Sequence, residues 1–367
     1  MVDDICGGVI ERLWYGDPGR RSFGVRALDA ALRPVEALYR WGSRLHRARL
    51  AGRVVDPGCP VISVGNITVG GSGKSTVSLL LAGELASRGA KPALVAHGFR
   101  AGGTRTVTFS GRSGLPPVAE VGDEALMAAV RNPRLPVTVG PDKARSCLEA
   151  ARMGAGVIIL DDGFHRLDIP RALDLVVFDA ARGVGNGACL PRGPLREPVS
   201  SLSRADLVVV FTSPGDAIPA DLAALCREHC PAVPLLAGEK RPGAFLRWAG
   251  QGLGDPVDLA GRTVSAFCGL GNPGSFRRSL ADAGGSVSRF EAFPDHHTYR
   301  PAELARLGRA GCEAGAAAVV TTLKDAVKIP HWPDEAPPLA VLTVDAVIAD
   351  PDGQLGRRLD LVAGVGR

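Results

Sequence analysis

The stretch "VISVGNITVGGSGKSTVSLLL", residues 61–81, decides the fold. Its first five residues are apolar, β-branched and bounded by turn residues, and they read as a buried strand. From Lys74 the pattern becomes helical, running through "STVSLLLAGELASRG" to a C-capping Gly89. Between strand and helix lie Gly70, Gly71 and Gly73. A phosphate-binding loop reads Gly, four residues, Gly-Lys, then Ser or Thr. Gly73-Lys74-Ser75 fits the end of that rule, while Thr68 stands where its first Gly belongs. A Gly-rich loop opening a helix lets successive backbone N–H groups converge on phosphate oxygens, helped by the helix N-terminus. The expected nucleotide-binding loop is therefore Thr68, Val69, Gly70, Gly71, Ser72, Gly73, Lys74 and Ser75. In it Lys74 reaches the β- and γ-phosphates of ATP, and Ser75 offers its hydroxyl to Mg²⁺. The bland alternative is a Gly-rich turn with no ligand, which leaves the lysine and the serine without a purpose.

Outward from this stretch the strand signature recurs. "PALVA", "GVIIL", "LDLVVFD" and "ADLVVVF" are short, β-branched and bounded by turn residues. They predict buried parallel strands in an α/β fold, a P-loop NTPase-like doubly wound sheet over residues 57–235. A second series, "TVSAFCGLG", "AAAVVTTLKD" and "LAVLTVD", predicts a smaller α/β domain over 263–350. Residues 236–262, with Gly, Pro and scattered charge, read as a linker, and 351–367 as a C-terminal tail. With 367 residues the chain has room for two cores.

A net charge of +5 is too mild to imply nucleic acid as a partner. There is no apolar run of transmembrane length, and "MVDDICGG" lacks the basic start and apolar stretch of a signal peptide. A cytosolic chain is expected, so the eight cysteines read as free thiols. "CREHC" (Cys226, His229, Cys230) offers at most three zinc ligands and no second pair, and reads as the end of a surface helix.

Residues 1–56 form a basic helical segment. Leu28, Ala31, Leu32, Val35, Leu38, Tyr39 and Leu45 fall on one helical face, with Arg26, Arg33, Arg40, Arg44, Arg47 and Arg49 crowding the remainder. Pro34 is expected to kink this helix or to start a second one. The pattern fits an amphipathic helix in an anionic membrane interface, and it fits nearly as well a helix packed on the core with solvated arginines.

A second carboxylate site is expected at a strand end, as in Walker B. "GVIILDDGFHRLD" supplies it with Asp161 and Asp162 after four apolar residues. Carboxylates at a strand's C-terminal end face the crevice where nucleotides bind.

The ordered set "GNITVGGSGKS", "VGDEA", "LDDGF", "GNGACLPRGPLREP", "FCGLGNPGSF", "FPDHHTY" and "TTLKDAVK" resembles the tetraacyldisaccharide 4'-kinase family, the lipid A 4'-kinases of Gram-negative bacteria. The likeness runs from about residue 25 to 345, and Thr at the first loop position is how that family looks. It implies transfer of the γ-phosphate of ATP, with Mg²⁺, to the 4'-hydroxyl of a lipid-linked glucosamine disaccharide. It also implies a peripheral enzyme at the cytoplasmic face of the inner membrane, and no obligate protein partner is evident in the sequence. By resemblance Asp123 is the catalytic aspartate, His296 its histidine partner, and Glu124 a metal-side carboxylate beside Ser75, Asp161, Asp162 and His165. Arg196 of "PLREP" stands as a substrate-binding residue. The chemistry agrees: a sugar hydroxyl is a poor nucleophile, and an aspartate that takes its proton helps. A pair drawn from two domains would couple the chemistry to closure.

Departures from the family pattern are His165 for Gln, His97 for Arg in "AHGFR", Leu323 for Glu, Thr76 for Pro, and Arg192 for a small residue. They leave open a kinase acting on a modified glycolipid. A P-loop switch or metallochaperone-type assembly factor is the other alternative, but no convincing base-specificity motif Asn-Lys-x-Asp is present. "GLGNPG" (Gly269, Gly271, Gly274) has dinucleotide spacing, with Glu291 some way on, but Pro273 breaks that pattern.

Overall fold

Thirteen strands occur among the described residues, and the predicted apolar runs all form strands. They are β1 Val61–Gly65, β2 Pro92–Ala96, β3 Val107–Phe109, β4 Val137–Val139, β5 Val157–Asp161, β6 Leu173–Asp179, β7 Leu207–Thr212, β8 Leu235–Trp248, β9 Leu253–Pro256, β10 Thr263–Cys268, β11 Ser286–Ala292, β12 Ala318–Thr322 and β13 Leu339–Ile348. The helices are α1 Val2–Tyr15, α2 Phe23–Ala51, α3 Lys74–Ser87, α4 Val118–Val121, α5 Asp123–Arg131, α6 Lys143–Arg152, α7 Ala220–His229, α8 Pro273–Asp282, α9 Pro301–Glu313, α10 Leu323–Ala326 and α11 Gln354–Ala363. The computed structural model describes residues 2–96, 98 and 105–365, so the departure at His97 lies outside the described residues.

By its internal contacts the chain divides into two units. The first comprises the described residues of Met1–Lys74, Leu160–Glu239 and Ile348–Arg367, and the second those of Ser75–Ile159 and Lys240–Val347. In the first unit β1, β6, β7 and the start of β8 run parallel, with Ile62 opposite Leu173, Leu175 opposite Leu207 and Val208 opposite Leu235. β1, β6 and β7 are buried on both faces, which is why they read as unbroken apolar runs. Their core gathers Ile67, Phe164, Val176, Phe178, Leu202 and Val208. Cys226 and Cys230 are buried in the same cluster, and burial pushes the Cys226 thiol up to about 12. That is the chemistry of a packed thiol: "CREHC" does close a helix, α7, but its two cysteines face the core.

In the second unit β10 lies between β11 and β12, and β12 beside β13, all parallel. Elsewhere in this unit β2 pairs parallel with β4, and β3 closes that edge antiparallel. The fold is thus mixed α/β and mostly parallel, as expected. Two aromatic-rich and aliphatic cores flank the β10–β13 ladder, one around Phe267 and Tyr299 and one around Phe276 and Val264.

Several elements differ from expectation. The stretch read as a linker holds β8, fourteen residues long, and β9 antiparallel to it. The pattern hides β8 because its middle carries Gly238, Lys240, Arg241, Pro242 and Gly243. Pro34 does not start a second helix, since α2 runs through it from Phe23 to Ala51. Pro34 is exposed, so the carbonyl that it deprives of a partner can meet water.

The proposed apolar face of α2 divides. Leu28, Leu32 and Tyr39 are half-buried, in line with buried Val25, Asp29 and Glu36. Val35, Leu38 and Leu45 are exposed, together with Phe23 (89% exposed) and Trp41. The helix turns its carboxylates inward because Arg192 awaits them. Its guanidinium meets Asp29 at 3.2 Å and Glu36 at 3.0 Å, and Glu36 Oε1 also accepts from Cys189 N. The arginine that departs from the family pattern thus docks α2.

Candidate functional site

The loop after β1 has the shape its sequence asks for. Gly70 and Gly73 have φ of 104° and 94°, a backbone that glycine adopts freely. Helix α3 then begins at Lys74. Beneath the loop, buried Asn66 Nδ2 donates to Thr68 Oγ1 and Ser72 Oγ, each at 3.2 Å. Thr68 is not left-handed. It forms an antiparallel bridge with Leu195, flanked by bonds from Val69 N to Pro194 O (2.8 Å) and from Arg196 N to Ile67 O (2.7 Å). A bridged, extended position has no need of glycine, which accounts for the threonine.

The segment that bridges the loop also bonds to the acidic turn. Arg196 Nη1 donates to Asp162 Oδ2 at 2.7 Å, and Lys74 Nζ lies 3.5 Å from Asp162 Oδ1. Asp161, at the end of β5, is buried and accepts from Asp162 N. The turn approaches β1 so closely that a Cβ on Gly65 would lie 2.5 Å from Phe164 Cβ. Phe164 is wholly buried there, contributing roughly 2–3 kcal/mol by its apolar area alone, and so anchors the turn.

The next residue, His165, places Nδ1 2.6 Å from Glu197 Oε1. Glu197 also meets Arg204 at 3.0 Å and Arg47 of α2 at 3.6 Å. Burial alone would raise the Glu197 carboxyl, but the hydrogen bond from His165 and the charge of Arg204 outweigh it and hold it at about 2.

In the second unit, Asp123 opens α5 after Gly122, whose φ is 82°. Asp123 is buried and Glu124 half-buried, both in the first turn, where the helix dipole favours carboxylates. His296 Nδ1 lies 2.9 Å from Asp123 Oδ2. His296 sits in the loop between β11 and α9, and its main-chain N–H donates to Asp295 Oδ1. His297 instead stacks on Phe293 and pairs with Glu303.

The expected site residues thus form two groups. Thr68–Lys74, Asp161, Asp162, His165 and Arg196 belong to the first unit, and Ser75, Asp123, Glu124 and His296 to the second. Among the described residues only Asp162 (φ 52°) and His296 (φ 59°) carry a left-handed backbone without being glycine. Such strain gathers where function holds a side chain in place.

Sequence reasoning left Glu197, Arg204, Lys324, Asp325 and Lys328 unassigned. The signal available was the spacing of the two lysines in "TTLKDAVK". "GLGNPG" is absorbed by the chain's own atoms: Gly269 N donates to Asp325 Oδ2, Asn272 caps α8, and Glu291 pairs with Arg306.

Comparison with known proteins finds relatives along nearly the whole chain. A protein-family model described as tetraacyldisaccharide-1-P 4'-kinase matches residues 28–362. A tetraacyldisaccharide 4'-kinase of Anaeromyxobacter sp. (strain Fw109-5) is 37% identical over 96% of both chains. One of Syntrophus aciditrophicus is 38% identical over 91% of this chain and 92% of its own. A crystal structure of LpxK from Aquifex aeolicus in complex with ATP is 25% identical, covers 91% of this chain and 99% of that one, and has a TM-score of 0.72.

Proposed function

This chain belongs to the tetraacyldisaccharide 4'-kinase family and is an ATP-dependent lipid A 4'-kinase, and we propose that its two groups of site residues divide the reaction between them. The loop Thr68–Ser75 holds the triphosphate, with Lys74 on the β- and γ-phosphates. Asp123 takes the proton of the 4'-hydroxyl as that oxygen bonds to the γ-phosphorus, and the bond to the β–γ bridging oxygen breaks to release ADP. His296 orients Asp123. Arg196, already bound to Asp162 and the loop, steadies anionic groups of the substrate. The observation that carries this reading is the hydrogen bond between buried Asp123 and left-handed His296. A nucleotide switch has no use for such a pair.

Mg²⁺ favours hard oxygen donors and keeps several phosphate and water ligands, so few protein groups are required. Ser75, Asp161, Asp162 and Glu124 are donors of that kind. Asp162 already faces cations in Lys74 and Arg196, a carboxylate suited to positive charge. His165 fits poorly, because its Nδ1 is taken by Glu197 and imidazole is a weak partner for Mg²⁺. We therefore leave it out of the metal set and assign it to holding the 194–197 segment. The ion would neutralise charge developing on the phosphates.

The substrate's lipid chains and the outward face of α2 support the reading of a peripheral enzyme at the inner membrane's cytoplasmic face. Phe23, Leu38, Trp41 and Leu45 lie on the stripe opposite the buried one, flanked by exposed Arg26, Arg33, Arg40 and Arg44. Among the described residues no helix is long and apolar enough to cross a membrane.

The test is transfer of radiolabel from γ-labelled ATP to a panel of acylated disaccharide 1-phosphates, with Lys74→Ala alongside. The wild type should label the 4'-position, and the variant should lose roughly 100-fold or more in kcat/KM while keeping its far-UV spectrum. Undiminished turnover by the folded variant would remove the phosphate-loop assignment.

A further inference from the structure

The lysines of "TTLKDAVK" converge on the Asp123–His296 pair, and the reading above uses neither. Lys324 Nζ lies 3.2 Å from His296 Nε2 and 2.9 Å from Asp295 Oδ1. One turn on, Lys328 Nζ lies 2.8 Å from Asp325 Oδ1 and 3.9 Å from Asp123 Oδ2. Asp325 is fully buried, and its Oδ2 accepts from Gly269 N and Thr322 Oγ1. Lys328 is thereby fixed from one side, and Lys324 from the other by Asp295.

An ammonium group has hydrogen-bond donors and no acceptor. Set at hydrogen-bonding distance from His296 Nε2, it requires a lone pair on that nitrogen. A neutral imidazole with its lone pair on Nε2 carries its hydrogen on Nδ1. That N–H then donates to Asp123 Oδ2, 2.9 Å away. The other tautomer would set N–H against ammonium at one end and a lone pair against carboxylate at the other. The imidazolium would set two cations at this distance, which repel by roughly 5 kcal/mol at an effective dielectric constant of about 20. Asp123 and Asp295 offset part of that repulsion. Among the described residues these are carboxylates in contact with the ring and Lys324 a cation in contact with it, with Lys328 beyond Asp123.

We propose that Lys324 is a positioning residue that locks His296 as the neutral ring protonated on Nδ1, a standing donor to Asp123, so that Asp123 alone accepts the proton of the attacking hydroxyl. The tautomer follows from the geometry, and only its catalytic consequence rests on the kinase reading. In the step itself the proton passes from the sugar oxygen to the Asp123 carboxylate, and His296 keeps its own proton throughout.

The experiment uses the full chain labelled with ¹⁵N-histidine and long-range ¹H–¹⁵N correlation spectra. Seven histidines are present, and the His296 signals are those lost in His296→Gln. The wild type should show His296 neutral with Nδ1 protonated. Lys324→Met should move it toward the imidazolium or a tautomer mixture and lower kcat about tenfold, with KM for ATP unchanged. Lys324→Arg, still a donor, should keep the wild-type pattern and most of the rate. A wild-type ring protonated on Nε2 overturns the proposal, whether or not the variants fold. So do unchanged His296 nitrogen shifts in folded Lys324→Met. If no disaccharide lipid is phosphorylated while the Nδ1 tautomer is seen, it is the kinase reading that fails.

Discussion

At Asp123 a buried carboxylate has His296 at 2.9 Å and Lys328 at 3.9 Å, so its hydrogen-bonding capacity toward the protein is partly filled and its position set. Asp123→Ala and His296→Ala should each lower kcat by roughly 10²–10³ while changing ATP affinity little, as for a base and its orienting partner. If they act as one unit, the double variant loses much less than the product of the two single losses. Steady-state kinetics on the four proteins decides it, and fully multiplicative losses would argue against a coupled pair. The residue types at this site were legible in "VGDEA" and "FPDHH" only through resemblance, since two loop histidines carry no mark of which one meets an aspartate 173 positions away. The roles of Lys324 and Lys328 were not legible at all. They come from three segments meeting in space, which no local pattern encodes.

At the scale of elements, the segment 186–197 connects what the sequence reads as separate motifs. It bridges the phosphate loop through Leu195, pairs with Asp162 through Arg196, docks α2 through Arg192, and ends at Glu197 against His165. Glu197 gives this anchoring a pH dependence. Its carboxyl sits at about 2 in the folded chain against an ordinary 4.5. The stability it contributes is therefore present above about 4.5 and lost as pH falls from there toward 2. Glu197→Gln should cost on the order of 3 kcal/mol at pH 7, a gap that closes on acidification through that window. Urea unfolding of both proteins at pH 7 and pH 3 checks this, and a gap independent of pH would refute it. Strands buried on both faces were legible as apolar runs. β8 was not, because it is half-exposed and interrupted by glycine, proline and charge, and neither were β3 and β4, which at three residues are too short to show a period.

For the whole molecule, the question is how a chain with no spanning helix among its described residues reaches a lipid-borne hydroxyl. α2 was legible as basic and helical, but its faces were not, because an ion-paired inner face and an apolar outer one reverse the usual polarity. Replacing exposed Phe23, Leu38 and Trp41 together by serine should leave the fold intact. Sedimentation with anionic vesicles should then show binding reduced about tenfold or more, with activity lost mainly on membrane-embedded substrate. Binding by the wild type should also weaken with salt, as each well-placed arginine contributes about 1 kcal/mol at an anionic surface. Vesicle binding unchanged by the three serines would place the membrane contact elsewhere.

The left-handed backbones of Asp162 and His296 set folding and turnover against each other. Glycine at either position would relieve a conformational cost of about 1 kcal/mol, against a comparable loss of side-chain contacts. A population of variants screened only for soluble, folded protein would therefore drift through both positions almost without penalty and accumulate inactive chains. Thermostabilising such an enzyme calls for an activity screen at these two sites, since selection for folding alone is blind to them.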